Sequence, residues 1–215
     1  YTAWFDYLSE LVENEDDDPV VDQDYSGQTV AIVPGAFKLP HMGHLKMVQQ
    51  YADNPDVDKV IVLISSPLRN QRTLKDGTVV TAEHSAEVWN LLLDTIDSSK
   101  IDLRISKQPS SVSATFDIIG PKGPLNAGDK VILGASDKPD DSANSVPDWH
   151  RWLSVKPKDV KPGVELLDLE SNAVEAFNRQ GGTPFKGRDM RDLISDAATD
   201  VKAIDELEEF VGKDN

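Results

Sequence analysis

Two histidines, His41 and His44, stand three residues apart with Gly43 between them, just after a short apolar run that ends in Pro34-Gly35. At the start of a helix, side chains at this spacing share one face. The free backbone N–H groups and the positive end of the helix dipole favour an anion there. Each imidazole can donate a hydrogen bond to a phosphoryl oxygen, and Gly43 leaves room for a ligand beside the backbone. The chemistry that fits is the holding of a polyphosphate; the alternative is a pair of histidines that satisfy loop carbonyls in an ordinary α/β domain. A second group of cations, Lys186, Arg188 and Arg191, opens a later helical stretch, and reads either as a phosphate site or as a basic helix cap. Arg69, Arg72 and Lys75 fall in one polar loop, either a ligand loop beyond a strand end or a solvated one.

The elements that must position these groups follow from the apolar pattern. Residues 29–33 are apolar or β-branched and read as a buried strand, with Leu45 and Val48 on the helix behind it. Residues 58–65, 100–105, 130–133 and 163–169 give four more strands. Between them, helices are expected at 81–93, with Thr81 as N-cap and His84 at N3, and at 111–119. His84 reads as a helix-surface group. A polar loop is expected at 66–81, a short helical turn at 172–177, and a helix start at 185–194. Trp149, His150, Arg151 and Trp152 form an aromatic-basic cluster, the tryptophans suited to a core and the two cations to an acceptor phosphate. Five strands alternating with helices specify an α/β fold with a parallel sheet and right-handed crossovers.

The run Gly35-Ala36-Phe37-Lys38-Leu39-Pro40-His41-Met42-Gly43-His44 resembles the G-x-F-x-x-x-H-x-G-H signature of the nucleotidylyltransferase superfamily. That group includes cytidylyltransferases and the nicotinamide-mononucleotide and pantetheine-phosphate adenylyltransferases. The wording is similar to that of cytidylyltransferase-like proteins of tailed bacteriophages. Residues 185–194 look like the superfamily's second motif, commonly I-S-[GSA]-T-x-[IM]-R. Gly187, Met190 and Arg191 keep that pattern, while Lys186 stands for the usual serine and Arg188 for the usual threonine, which adds two positive charges. Ser113-Ala114-Thr115 is a decoy for the same motif, since no arginine follows it.

The resemblance covers roughly residues 28–194 and implies a Rossmann-like, doubly wound, five-stranded parallel sheet in the order 3-2-1-4-5. It implies transfer of a nucleotidyl group from a nucleoside triphosphate, ATP or CTP, to a phosphorylated small-molecule acceptor, with release of pyrophosphate. His44 would stabilise the α-phosphoryl group and His41 the bridging or β-phosphate oxygens. Lys38 would hold the acceptor or α-phosphate, and Arg191 with Lys186, Gly187 and Arg188 the leaving pyrophosphate. Gly35, Ala36, Phe37, Gly43, Gly134, Ser136 and Asp137 would border the nucleotide and acceptor pocket. Mg²⁺ would travel with the triphosphate, so no dedicated metal ligands are expected. The rival expectation is a non-catalytic structural or nucleotide-binding subunit of a larger assembly, a virion included, built on the same fold.

Composition narrows the partners. The 215 residues carry a net charge of −16 and no cysteine. Such a chain is unsuited to nucleic-acid backbones or anionic membranes, and it forms no disulfide. No stretch reaches transmembrane length and no signal pattern opens the chain, so the expected location is cytoplasmic, in a host cell or a virion if phage-encoded. The chain opens on Tyr1, as expected of a trimmed, processed or partial product. The expected organisation is an N-terminal helix and acidic linker over 1–27, the nucleotidylyltransferase-like domain over 28–195, and an acidic C-terminal helix over 196–215. The linker reads as solvated, with a metal cluster as the sharper alternative. Trp4, Phe5 and Leu8 form one apolar stripe and Leu207, Phe210 and Val211 another. Each is expected to cover the domain, a second copy or a larger assembly. Arg191 is expected in the same cleft as His44, since both motifs follow strands at the C-terminal edge of the sheet.

Overall fold

The strand β1 (Thr29–Gly35) is apolar from Val30 to Val33 because both of its faces and both of its edges are covered there. The computed structural model describes residues 27–66, 72–137, 146–179, 182, 185–197 and 200–212. On one edge β1 pairs in parallel with β2 (Lys59–Ser65), in the register Ala31↔Val60 and Val33↔Val62. The outer strand β5 (Ile101–Ser106) pairs with β2 on its far side. On the other edge β1 pairs with β6 (Lys130–Leu133), and β6 with the short β7 (Glu165–Leu166). All four pairings are parallel, and the fold is α/β as expected.

Counted over all strands the sheet runs β5-β2-β1-β6-β7, and these numbers differ from 3-2-1-4-5 only because two short strands outside the sheet are counted as well. The stretch expected to be loop throughout holds two short strands, β3 (Arg72–Thr73) and β4 (Val79–Val80). They pair antiparallel with each other outside the main sheet. Other expectations are corrected as well. The last strand is only Glu165–Leu166, because Gly163 lies at φ 88 in a turn and its carbonyl receives the Gly128 N–H. The expected helical turn at 172–177 is extended: Val174 bridges Ser136 in parallel, and its amide and carbonyl bond to Ala135 and Asp137. Backbone groups beyond the end of β6 need partners, and this segment supplies them. The N-terminal helix and acidic linker, Arg69 and the Arg72 side chain lie outside the described residues.

Period-two alternation along β1 and β2 sorts the core into two layers. Ala31, Val33, Val60 and Val62 face α1 (Met42–Ala52) and α2 (Ala82–Leu93), where they meet Leu45, Val48, Trp89 and Leu92. Val30, Ile32, Ile61 and Leu63 face α3 (Ser111–Ile119), where they meet Ala114, Ile118 and Ile119, along with Trp152. Each fully buried aliphatic side chain contributes about 1.5–3 kcal/mol. The α2 start is fixed as the sequence suggests: the Thr81 hydroxyl accepts the His84 amide, and His84 Nδ1 accepts the Thr81 amide. His84 is therefore a capping residue.

A third, smaller cluster joins α4 (Gly187–Asp196), α5 (Val201–Val211) and the β3–β4 hairpin to the loop after β1. Its buried members are Leu39, Leu74, Val80, Phe185, Met190 and Phe210. The expected acidic helix thus begins at Val201, since Ala197 caps α4 and Asp200 caps α5 by accepting the Lys202 amide. Leu207 and Val211 pack against this cluster, so the C-terminal apolar stripe is covered by the chain itself.

At the opposite end of the sheet, the fully buried Asp129 accepts the amides of Gln28 and Asn126, and its carbonyl receives the Glu165 amide. It ties together the starts of β1, β6 and β7. Asp129→Ala strands two buried donors and is expected to cost about 1–3 kcal/mol. Asp129→Asn keeps one side-chain acceptor and should cost less. The urea midpoint of each variant, at unchanged slope, checks this.

Candidate functional site

The loop after β1 carries the site, and glycine shapes its first turn. A Cβ on Gly35 would lie 2.7 Å from the Phe37 ring, so only glycine lets that ring fold back over the strand end. Phe37 adopts φ 38 and packs edge-on against His44 (5.1 Å between centroids, 84°) and Trp89 (5.2 Å, 87°). His41 is the extended N-cap of α1. Its carbonyl receives the amides of His44 (2.8 Å) and Leu45 (3.1 Å), and its side chain makes no capping bond.

The two imidazoles stack on each other, with centroids 3.8 Å apart and planes 21° apart. Phe185 stacks on the His41 ring at 5.4 Å and 22°. The space beside Gly43, expected to admit a ligand, is occupied from within. A Cβ there would lie 3.1 Å from the His41 ring and 3.2 Å from Phe185 Cβ. Gly43 thus permits the stack rather than a close ligand approach.

The second group of cations comes to the same place. A cavity of about 550 Å³ is lined by Lys38, His41, His44, Lys186, Gly187, Arg188 and Arg191, together with Ala36, Phe37, Leu39 and Phe185. Arg191 and His44 therefore share a cleft. Lys186 is the N-cap of α4, so the amide end of that helix lies beside the cleft as well. Arg191 donates to the Lys38 carbonyl. A Cβ on Gly187 would lie 3.2 Å from that same oxygen, which explains why the first turn of α4 can approach it. Arg188 is largely exposed and lies 4.0 Å from Asp189. In a chain of net charge −16, this is a local concentration of positive charge.

A second cavity, of about 310 Å³, shares the same rings. It is lined by Gly35, Ala36, Phe37, Gly43 and the two histidines, and also by Ser136, Asp148, Arg151, Glu175 and Phe177. Arg151 comes from the aromatic-basic cluster, a short 3-10 helix (Asp148–Trp152). It lies 3.5 Å from Asp148, donates to the Gly134 carbonyl (2.9 Å) and stacks over Trp152 (4.8 Å). His150 turns instead to Trp149, 4.1 Å away.

Two sequence-derived site residues do other work. Gly134 lines neither cavity; a Cβ there would lie 2.8 Å from the Ile32 carbonyl, so its role is close packing on β1. Asp137 also lines neither, and its carboxylate accepts the Ala176 amide at 2.8 Å, holding the extended 172–177 segment. Lys75, from the polar loop that reads as a ligand loop or a solvated one, pairs with Asp196 at 2.5 Å on the surface. Sequence reasoning missed the rings of Phe177, Phe185 and Phe210. The signal was present in the tail, where Phe210 was assigned to a stripe for covering the domain or a partner.

Among the described residues, no group of three or more His, Cys, Asp and Glu forms a metal-holding arrangement, and no helix is long and apolar enough to cross a membrane. No protein-family model matches the chain, and no curated protein matches it.

The buried Tyr51 hydroxyl has the carbonyls of Ala135 (2.9 Å) and Asn172 (3.0 Å) as acceptors for its single proton, and it accepts the Ala135 amide. Burial pushes its pKa up to about 12. Below about pH 10 the folded and unfolded chains both keep this proton, so it confers no pH dependence. Between about pH 10 and 12 only the unfolded chain loses it, and stability should fall by on the order of 2–3 kcal/mol. Tyr51→Phe should abolish that part of the alkaline slope while lowering stability at neutral pH. Urea unfolding of both proteins at about pH 9 and about pH 11 checks the sign.

Proposed function

We propose that the protein transfers a nucleotidyl group from a nucleoside triphosphate, ATP or CTP, to a phosphorylated small-molecule acceptor. The observation that carries this reading is the shared cleft: two stacked imidazoles at the start of α1 and three cations from the start of α4 line one cavity. That cavity lies beyond the C-terminal end of β1, where neighbouring strands leave in opposite directions and open α/β sheets bind ligands. The resemblance to the nucleotidylyltransferase signature at residues 35–44 points the same way.

An acceptor phosphate oxygen attacks the α-phosphorus. The bond from that phosphorus to the bridging oxygen breaks, and pyrophosphate leaves with the electron pair. A phosphate monoester already carries anionic oxygens near neutral pH, so no side chain must remove a proton from the nucleophile. The protein's contribution is alignment and neutralisation of developing charge. His44 donates to the α-phosphoryl oxygens and His41 to the bridging or β-phosphate oxygens. Lys186, Arg188 and Arg191 neutralise the departing pyrophosphate, and Lys38 holds the acceptor or α-phosphate. Mg²⁺ enters as part of the triphosphate substrate, which suits a cleft lined by cations rather than carboxylates.

The rival reading, a non-catalytic subunit of a larger assembly, drew on two apolar stripes available to partners. The C-terminal stripe packs into this chain, which removes one of its supports.

The test is binding of ATP and CTP with Mg²⁺, followed by pyrophosphate release over a panel of phosphorylated acceptors. His44→Ala removes a donor aimed at the reacting phosphoryl group, and turnover should fall about 10²-fold or more. Pyrophosphate release by His44→Ala equal to that of the parent would overturn the assignment.

A further inference from the structure

The C-terminal helix α5 does more than cover the domain. Phe210, near the end of this helix, is fully buried and sits edge-on to Phe185 at 5.0 Å and 89°. It also approaches the His41 ring, at 6.2 Å and 81°. Phe185 in turn lies nearly parallel to His41, at 5.4 Å and 22°. On its own side Phe210 is covered by the Arg179 guanidinium, 4.8 Å from the ring centre, and Arg179 lies 3.5 Å from Glu209, the residue before Phe210.

This arrangement bears on the one soft torsion of His41. Rotation about the bond between Cβ and an imidazole ring is broad and roughly two-fold, so the backbone alone does not fix the plane of the ring. A half-turn would carry Cδ2 to the place of Nδ1 and Cε1 to the place of Nε2, and so change whether a nitrogen or a carbon faces the cleft. With His44 stacked at 3.8 Å and Phe185 nearly parallel at 5.4 Å, the plane is held by two rings. Phe185 stays parallel because the edge of Phe210 stands against it, the arrangement that the ring quadrupoles favour.

We propose that Phe210 is a positioning residue of the candidate site: through Phe185 it holds the His41 imidazole in the plane from which it reaches the cleft, so that α5 is part of the site. This rests on the nucleotidyl-transfer reading for its kinetic consequence, but its structural content stands apart from that reading.

The test uses the full chain with Phe210→Leu, which keeps an apolar side chain of similar bulk but removes the ring, and Arg179→Gln, which takes the cation off the ring without opening the core. The first readout is the Cε1–H resonance of His41 in proton–carbon NMR spectra. Ring-current shifts make it sensitive to the placement of Phe185 and Phe210. Phe210→Leu should displace the His41 signal while those of His84 and His150, which belong to other elements, stay in place. Arg179→Gln should displace it in the same direction by less. If Phe210→Leu fails to fold, Arg179→Gln decides the matter.

The second readout is kinetic. In Phe210→Leu, kcat should fall roughly tenfold with KM changed less than about twofold, because a misplaced donor weakens transition-state contact more than binding. An unmoved His41 resonance in a folded variant overturns the positioning role whether or not the parent is active. A parent that releases no pyrophosphate with any acceptor overturns the nucleotidyl-transfer reading instead, and leaves the NMR result to decide the role of Phe210.

Discussion

β1 is hydrogen-bonded along both edges and buried on both faces, and the rest of the architecture depends on that double constraint. A strand so enclosed must be apolar, and the parallel strands on its flanks must be joined by crossovers that place helices over both faces. It also leaves the chain one exit, past the C-terminal edge of the sheet. Pro34-Gly35 ends the strand there, Phe37 folds back over Gly35, and α1 starts at His41. The position of the two histidines is therefore set by the most buried part of the protein.

Electrostatics sets the character of the cleft. An acidic chain repels polyanions over most of its surface, so a place that attracts one must gather its cations locally. Here the gathering is done by two helix starts far apart in sequence. Gly187 makes the second approach feasible, since any larger side chain would press on the Lys38 carbonyl that Arg191 contacts. Lys186 and Arg188 bring charge to this helix start, which acts over a longer range than a neutral hydroxyl donor but with less fixed geometry.

Aromatic packing joins these parts. Trp89 and Phe37 support His44 from the α2 side, while Phe185 and Phe210 support His41 from the α4–α5 side. Phe177 continues the stack outward from Phe185 at 5.9 Å and 14°, and lines the smaller cavity with 45% of its surface exposed. The stack thus runs from the core to the mouth of the cleft, and both cavities are defined by the same central rings.

The sequence by itself determined the α/β class, the central strands and the placement of His41 and His44 at a helix start, because these rest on local features: apolar runs, glycine and proline breaks, and spacing along one turn. The same holds for the Thr81–His84 cap. It was a poor guide where pairing, rather than pattern, decides conformation. Residues 172–177 have the composition of a helical turn, yet Val174 is extended because unpaired groups beyond β6 recruit it. The β3–β4 hairpin is too short to leave a periodic signature. Tertiary contacts alone reveal that Gly134 packs closely on β1, that Asp137 accepts the Ala176 amide, that Gly43 makes room for an imidazole and a phenyl ring, and that Phe210 reaches His41. Each of these is a contact between residues distant in sequence, and apolar spacing along a helix says that a face will be buried without saying against what.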